Sequence, residues 1–591
     1  MTRTKRMAST SLQTSLAENP AELPNTREID PENTTGFADL VITGARIFTL
    51  EPATPWASAI ALKGEKIVYV GDDDGATALI GADTRHILLS SDVILPAFID
   101  SHTHPVTATQ TGPILELPPG AAPHEIIEAV ANYAKAHPEL SCIKGRAWDI
   151  DAFGLEGPNK ELLDQAVSDR PVLLLDSSGH SQWLNSKALE QMNVSAATPD
   201  PVPNVSVFVR DSDGSPTGWA KEAALWFHTE QLDIPTKLDG ENLLGFLTYL
   251  RALGVTSVYD AGIELLDVAI RNDEAYEILS RFDREGRLPI RYFGSLVVHS
   301  PVQLAGAVDE FKRLRERYSG HRLKFNSVKL FLDGVSEIGT ARLLAPYEGQ
   351  PDNYGLTTIS REELDGLLAE LHAEQIDFHV HTIGDGAVRL VLDAVEALRE
   401  RVGEPATQIT MAHVELVDPA DMHRFKSLGI YVNHTPHWNG GYFRGQERTL
   451  GPERAKRTNQ LASLIATGAV VALSSDITEG PEWETDRANP YLGIHIGHNR
   501  REPGTALDAA AFPPVDEKAD LVDLLAGYTI NGAMQLRVDD DLGSLTVGKI
   551  ADFQILDKDI FEVPADEIYK VYPKAVFMDG QLVAGSLAGA E

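Results

Sequence analysis

Three features of this 591-residue sequence predict an α/β fold, a (β/α)8 barrel flanked by a small β-domain built from both chain ends. Short apolar runs alternate with amphipathic helical stretches through the middle, β-ribbon patterns occupy both ends, and several central runs finish on a His or an Asp. Hydrophobic residues make up 43%, charged residues 23% and aromatic residues 7%, which is ordinary globular usage and excludes fibrous or wholly disordered chains.

Taken in order, residues 1–38 are rich in Thr, Ser, Asn, Glu and Pro and read as a flexible N-terminal tail. Residues 39–92 carry strand-like runs such as Leu40-Val-Ile-Thr and Lys66-Ile-Val-Tyr-Val, and the same style returns over 540–591. The two segments form one β-domain that encloses residues 93–539 in sequence. Within 93–539, candidate strands end near Asp100, Asp260, Val297, Asp333, His381, His413, His434 and Asp476, which makes eight. Amphipathic stretches such as Glu362 to Glu374 and Gly386 to Arg401 supply helices between them. A further run, Pro171-Val-Leu-Leu-Leu-Asp, falls in a segment from about 106 to 250 that is too long for one helix and its loops, so 106–250 is expected to be an inserted subdomain after strand 1.

The charge balance, 51 basic against 87 acidic residues, gives −36 and disfavours nucleic acid and anionic lipid as partners. No window approaches 18 consecutive apolar residues, so no membrane span is expected. The single cysteine, Cys142, cannot form an internal disulfide and reads as a buried structural thiol in a cytoplasmic protein.

Barrel strands carry their chemistry at their C-terminal ends. With 18 His in the chain, about half an H-x-H pair arises by chance, so His102-Thr103-His104 means little alone. Its setting changes that: residues i and i+2 of a strand share a face, so both imidazoles can converge on one ion, and His413 and Asp476 complete a nitrogen and oxygen set suited to zinc or a similar ion. His379 shares a face with His381, Asp385 reads as a cap or turn residue, and His495 and His498 read as surface loop. His180 and Trp183 in the insertion, and His437 and Trp438 after strand seven, are the candidate substrate contacts, with Trp148, Tyr347 and Tyr442 as further aromatic lining.

The run Leu95-Pro-Ala-Phe-Ile-Asp-Ser-His-Thr-His-Pro resembles the first-strand signature of the amidohydrolase superfamily, metal hydrolases on a TIM barrel with a flanking β-sandwich. Further motifs resemble its YtcJ-like branch, which includes N-substituted formamide deformylases: Gly179-His-Ser-Gln-Trp-Leu-Asn-Ser-Lys-Ala-Leu, Val328-Lys-Leu-Phe-Leu-Asp-Gly, His379-Val-His-Thr-Ile-Gly-Asp, Ala412-His-Val-Glu, Ser474-Ser-Asp and Gly543-Ser-Leu-Thr-Val-Gly-Lys-Ile-Ala-Asp. The resemblance implies that His102, His104, His381, His413 and Asp476 hold one or two divalent metal ions, zinc above all, and that Lys329 is a carboxylated lysine bridging two of them. It departs from the common pattern at Ala97, Ser178 and Ala412, beside the motifs' key residues.

The activity implied is hydrolysis of a non-peptide C–N bond in a linear amide, N-acyl or N-formyl compound, with Asp476 as ligand and proton shuttle. Two alternatives stay open: a metal-dependent lactone, carbamate or ester hydrolase, and a non-catalytic regulatory metal-binding protein. The expected partners are a small neutral amide-like substrate and a second copy in a homodimer.

Overall fold

In the computed structural model the described residues are 36–225, 229–234, 236–263, 268–441, 446–478, 487–506, 508–514 and 516–587. Residues 1–35 of the expected tail, and Tyr442, lie outside them. The centre is an eight-stranded all-parallel sheet: β1 (Phe98–Thr103), β2 (Val255–Asp260), β3 (Arg291–Val298), β4 (Leu323–Phe331), β5 (Asp377–Thr382), β6 (Ile409–His413), β7 (Tyr431–His434) and β8 (Val470–Leu473), each beside the next in chain order. All eight predicted strands are present. Their residues are almost wholly buried, as expected where helices cover the outside and side chains fill the inside.

The ends of the sheet meet without a regular ladder. Ser101 Oγ donates to the Leu473 carbonyl at 2.9 Å, Asp476 N–H to the His102 carbonyl at 2.9 Å, and His104 N–H to the Ile477 carbonyl at 3.0 Å, which draws β8 against β1. The outer helices follow the predicted periodicity. Arg361–Glu374 starts at a capping box in which Ser360 and Glu363 satisfy each other's backbone N–H, and Asp385–Val402 buries Val388, Val391, Leu392 and Val395 against the barrel.

Strands from both chain ends make two further sheets. One holds Leu40–Thr43, Ala59–Lys63, Lys66–Gly71 and Arg85–Leu88; the other holds Arg46–Phe48, Trp56–Ala57, Val93–Pro96, Phe553–Leu556, Pro573–Met578 and Gln581–Gly585. Ile42, Ile47, Ile60, Ile94, Phe553, Ile555 and Phe577 form the apolar core they share. Residues between β1 and β2 carry a six-stranded mixed sheet whose central strands are Ile143–Trp148, Val172–Asp176 and Ser181–Leu184. Its core includes Trp148, Trp183 and Trp219 together with Val335, Ile338 and Ile383 from the barrel loops, so the insertion packs directly on the barrel mouth.

Candidate metal centre

The strand ends bring the predicted ligands together. His102 lies on β1 and His104 one residue beyond it, at the entry to the short helix Pro105–Ala108. Asp476 was expected to terminate β8; the strand instead stops at Leu473, and the carboxylate is delivered by the loop that follows. That loop is fixed: Ser475 donates its N–H to Asp100 Oδ1 at 3.0 Å and its hydroxyl to Asp100 Oδ2 at 2.5 Å, while Asp476 adopts φ +52°. A non-glycine residue in this left-handed region costs about 1 kcal/mol or more and persists only where its surroundings impose it.

Asp476 Oδ1 lies 3.4 Å from His102 Nε2 and 3.4 Å from His104 Nε2, and Oδ2 lies 3.6 Å from His413 Nδ1. Two ligands of a tetrahedral zinc with bonds of roughly 2.0–2.1 Å stand about 3.4 Å apart, so these spacings are those of groups sharing an ion. His102, His104 and Asp476 form the one group of three whose ligand atoms all fall within 4.8 Å among the described residues. His381 and His413 each keep a buried Nδ1 without a hydrogen-bond partner, and a buried imidazole nitrogen of that kind is a donor suited to a metal ion. The ring centres of His413 stand 4.9 Å from His102 and 4.6 Å from His381. The residues fit a divalent ion.

Burial, reinforced by the Lys329 ammonium and neighbouring imidazoles, holds His102, His381 and His413 well below the usual imidazole range. These rings are therefore neutral, the ligating form. Lys329, fully buried on β4, places Nζ 3.4 Å from His102 Nε2 and 4.8 Å from the Phe331 ring centre.

Residues without a distinctive motif role hold the ligands in place. His104 Nδ1 is 2.7 Å from the Gly262 carbonyl. His434 Nδ1 is 3.1 Å from the His413 carbonyl, beside the consecutive left-handed residues His413 (φ +69°) and Val414 (φ +50°). Asp333 accepts the backbone N–H groups of Ile383, Gly384 and Arg342, which ties the loop after β5 to the loop after β4. Asp385 accepts from Leu344 N–H in the first turn of its helix, so it serves the fold.

The expected substrate contacts divide. Trp438 stacks on His413 with ring centres 5.2 Å apart and planes at 16°, and His180 stands 5.7 Å from His381 with its Nδ1 2.8 Å from Glu222 Oε2. Trp183 and His437 are corrections. Trp183 is fully buried, donates Nε1–H to the Asn159 carbonyl at 3.0 Å and packs on Phe153 inside the insertion. His437 faces Asn489, with Nε2 3.2 Å from its carbonyl, and fills space left by Gly493, where a Cβ would come within 2.6 Å of the imidazole. Trp148 and Tyr347 are also buried and bonded to carbonyls, of Leu174 and Ala341. His495, expected on the surface, is buried in the helix Pro490–Asn499, and His498 is half-buried against the Ala519 carbonyl. Cys142 is buried, and burial pushes its thiol up to about 12.

Glu222 carries no motif and was missed. It sits at φ +53°, also accepts the Thr340 hydroxyl, and lies against Gly334, where any Cβ would come within 2.1 Å of its Oε1. The Asp333-Gly334 pair thus has two physical reasons: the Asp braces the loop after β5, and the Gly admits the carboxylate.

The model of the Amidohydrolase family matches residues 89–584. The chain belongs to the amidohydrolase family. It is 28% identical over 452 residues to the exoenzymes regulatory protein AepA of Pectobacterium carotovorum, covering 75% of this chain and 94% of that one. It is 25% identical over 567 residues to the N-substituted formamide deformylase of Arthrobacter pascens, covering 93% and 98%. Among solved structures, an uncharacterized metal-dependent hydrolase from Pyrococcus horikoshii OT3 superposes with a TM-score of 0.64 at 25% identity, covering 89% of this chain and 99% of that one. No helix among the described residues is long and apolar enough to cross a membrane.

Proposed function

We propose that this amidohydrolase cleaves a non-peptide C–N bond in a small neutral amide, N-acyl or N-formyl compound, with zinc as its ion. The observation that carries the reading is the grouping of His102, His104 and Asp476, with His413, His381 and Lys329 against them and the partly exposed His180 and Trp438 beside His381 and His413. A divalent ion held there supplies Lewis acidity toward a carbonyl oxygen and acidifies water.

The protein supplies the rest. Asp476 faces three imidazoles at 3.4 to 3.6 Å, so its carboxylate is the group placed to accept a proton from the attacking water and return it to the departing nitrogen. Its strained backbone holds that carboxylate where both ligation and proton transfer use it. Lys329, once carboxylated, adds an anionic oxygen ligand beside His102. Trp438, stacked on His413, and His180, whose Nδ1 is held by Glu222, border the candidate ligands and are the side chains proposed to meet the acyl or N-alkyl group. The net charge of −36 disfavours anionic substrates.

The test is a screen of amides, formamides, esters, lactones and carbamates against zinc-loaded protein. Amine release from amides or formamides that stops on chelation supports the reading. Turnover of esters or lactones alone moves the reaction to another bond. A fully loaded protein that hydrolyses nothing contradicts catalysis and favours a regulatory role, the role named for AepA.

A further inference from the structure

His379 and His381 are two residues apart on β5 and point to the same side, yet they do different things. His381 joins the ligand cluster. His379, in register with Lys329, lies deeper, with its Nε2 2.9 Å from His102 Nδ1. The contact is made on the edge of His102 opposite the Nε2 that faces Asp476 and Lys329. His379 is itself held: its ring stacks on Tyr259 at 4.8 Å and 29°, and the Tyr259 hydroxyl is 2.6 Å from Ser327 Oγ. Four strands, β1, β2, β4 and β5, contribute to this buried layer beneath the cluster.

We propose that His379 is a positioning residue for the metal centre, fixing the ring orientation and tautomer of His102 through the Nδ1 contact. The inference rests on the reading of the cluster as a metal centre. A neutral imidazole carries one proton, and its other nitrogen offers the lone pair. When His102 Nε2 faces an ion, its proton must sit on Nδ1, where His379 Nε2 accepts it. His104 solves the same problem with the Gly262 carbonyl at 2.7 Å. His102 and His104 therefore present Nε2 to the same carboxylate, each gripped from behind, one by a second imidazole and one by backbone.

The test is a cobalt(II) and zinc titration of the metal-free full chain, reading the dissociation constant and the cobalt absorption spectrum, for wild type and His379→Gln, His379→Asn and His379→Leu. Gln reaches the Nε2 position with an acceptor oxygen, Asn is too short and Leu has no acceptor. The expected result is near wild-type binding for Gln, a loss of about 10- to 100-fold for Asn and Leu, and a changed cobalt spectrum in those two. If Leu does not fold, as judged by circular dichroism, the contrast between Gln and Asn decides. Equal affinity in all folded variants overturns the proposal, and so does an equal loss in Gln, which would make the residue merely structural. A wild-type chain that takes up no ion overturns the metal-centre reading and this proposal with it, and the wild-type titration alone reveals that case.

Discussion

In the proposed reading Asp476 is both ligand and proton shuttle; it faces His102, His104 and His413 at once and sits at φ +52° beside the bonds of Ser475 to Asp100. Asp476→Asn should leave the fold intact and lower kcat by about two orders of magnitude or more, because an amide ligates weakly and relays no proton; steady-state kinetics with a circular dichroism control checks it. Lys329→Ala should abolish activity, with partial recovery in short-chain carboxylic acids that occupy the carbamate's place, a rescue that a salt-bridging lysine would not show. The ligand histidines give a pH prediction. Burial first, then the Lys329 charge and the other imidazoles, hold their folded pKa values well below the ordinary value of about 6.5, so from pH 8 down to 6.5 they carry no proton for an ion to displace. Calorimetric zinc binding in buffers of different ionisation heat should therefore show no growth in proton release across that window, where ordinary histidines would release increasing amounts toward 6.5.

Elements assign the aromatic side chains to different tasks. Trp183 sits on a central strand of the insertion sheet, between Trp148 and Phe153, and Trp438 follows β7 at the barrel mouth. Trp183→Ala should thus lower stability by about 3–5 kcal/mol, read by denaturant unfolding, with KM unchanged in the folded fraction. Trp438→Ala should raise KM about tenfold, roughly 1.4 kcal/mol, with less effect on turnover. Sequence pattern alone places both as pocket candidates, because a Trp beside a His looks the same whether its strand faces a core or a cavity. The eight barrel strands were legible for the opposite reason: each is a run of apolar residues between amphipathic helices, and burial on both faces writes that run into the sequence. His495 shows the limit again, since its helix packs between the barrel and the segment Ala565–Lys570, a tertiary contact with no local signature.

For the whole molecule, the site is where elements distant in sequence meet: β1 and β8 closing the barrel, the loops after β4 and β5 tied by Asp333, and the insertion reaching in through His180 and Glu222. The candidate ligands were readable because His and Asp at or just beyond strand ends stand out from an apolar background. Their supports, Asp100, Asp333, Glu222 and the Gly262 carbonyl, were not, since one carboxylate among 87 acidic residues or one carbonyl carries no pattern until the chain folds. On the proposed reading this constellation holds an ion on which hydrolysis depends. Elemental analysis of the carefully purified protein, paired with amide turnover before and after chelation and zinc return, tests it most directly. One to two equivalents of a transition ion, zinc foremost, are expected, with activity lost on removal and restored on return. Less than about a third of an equivalent, with turnover indifferent to chelators, would contradict it.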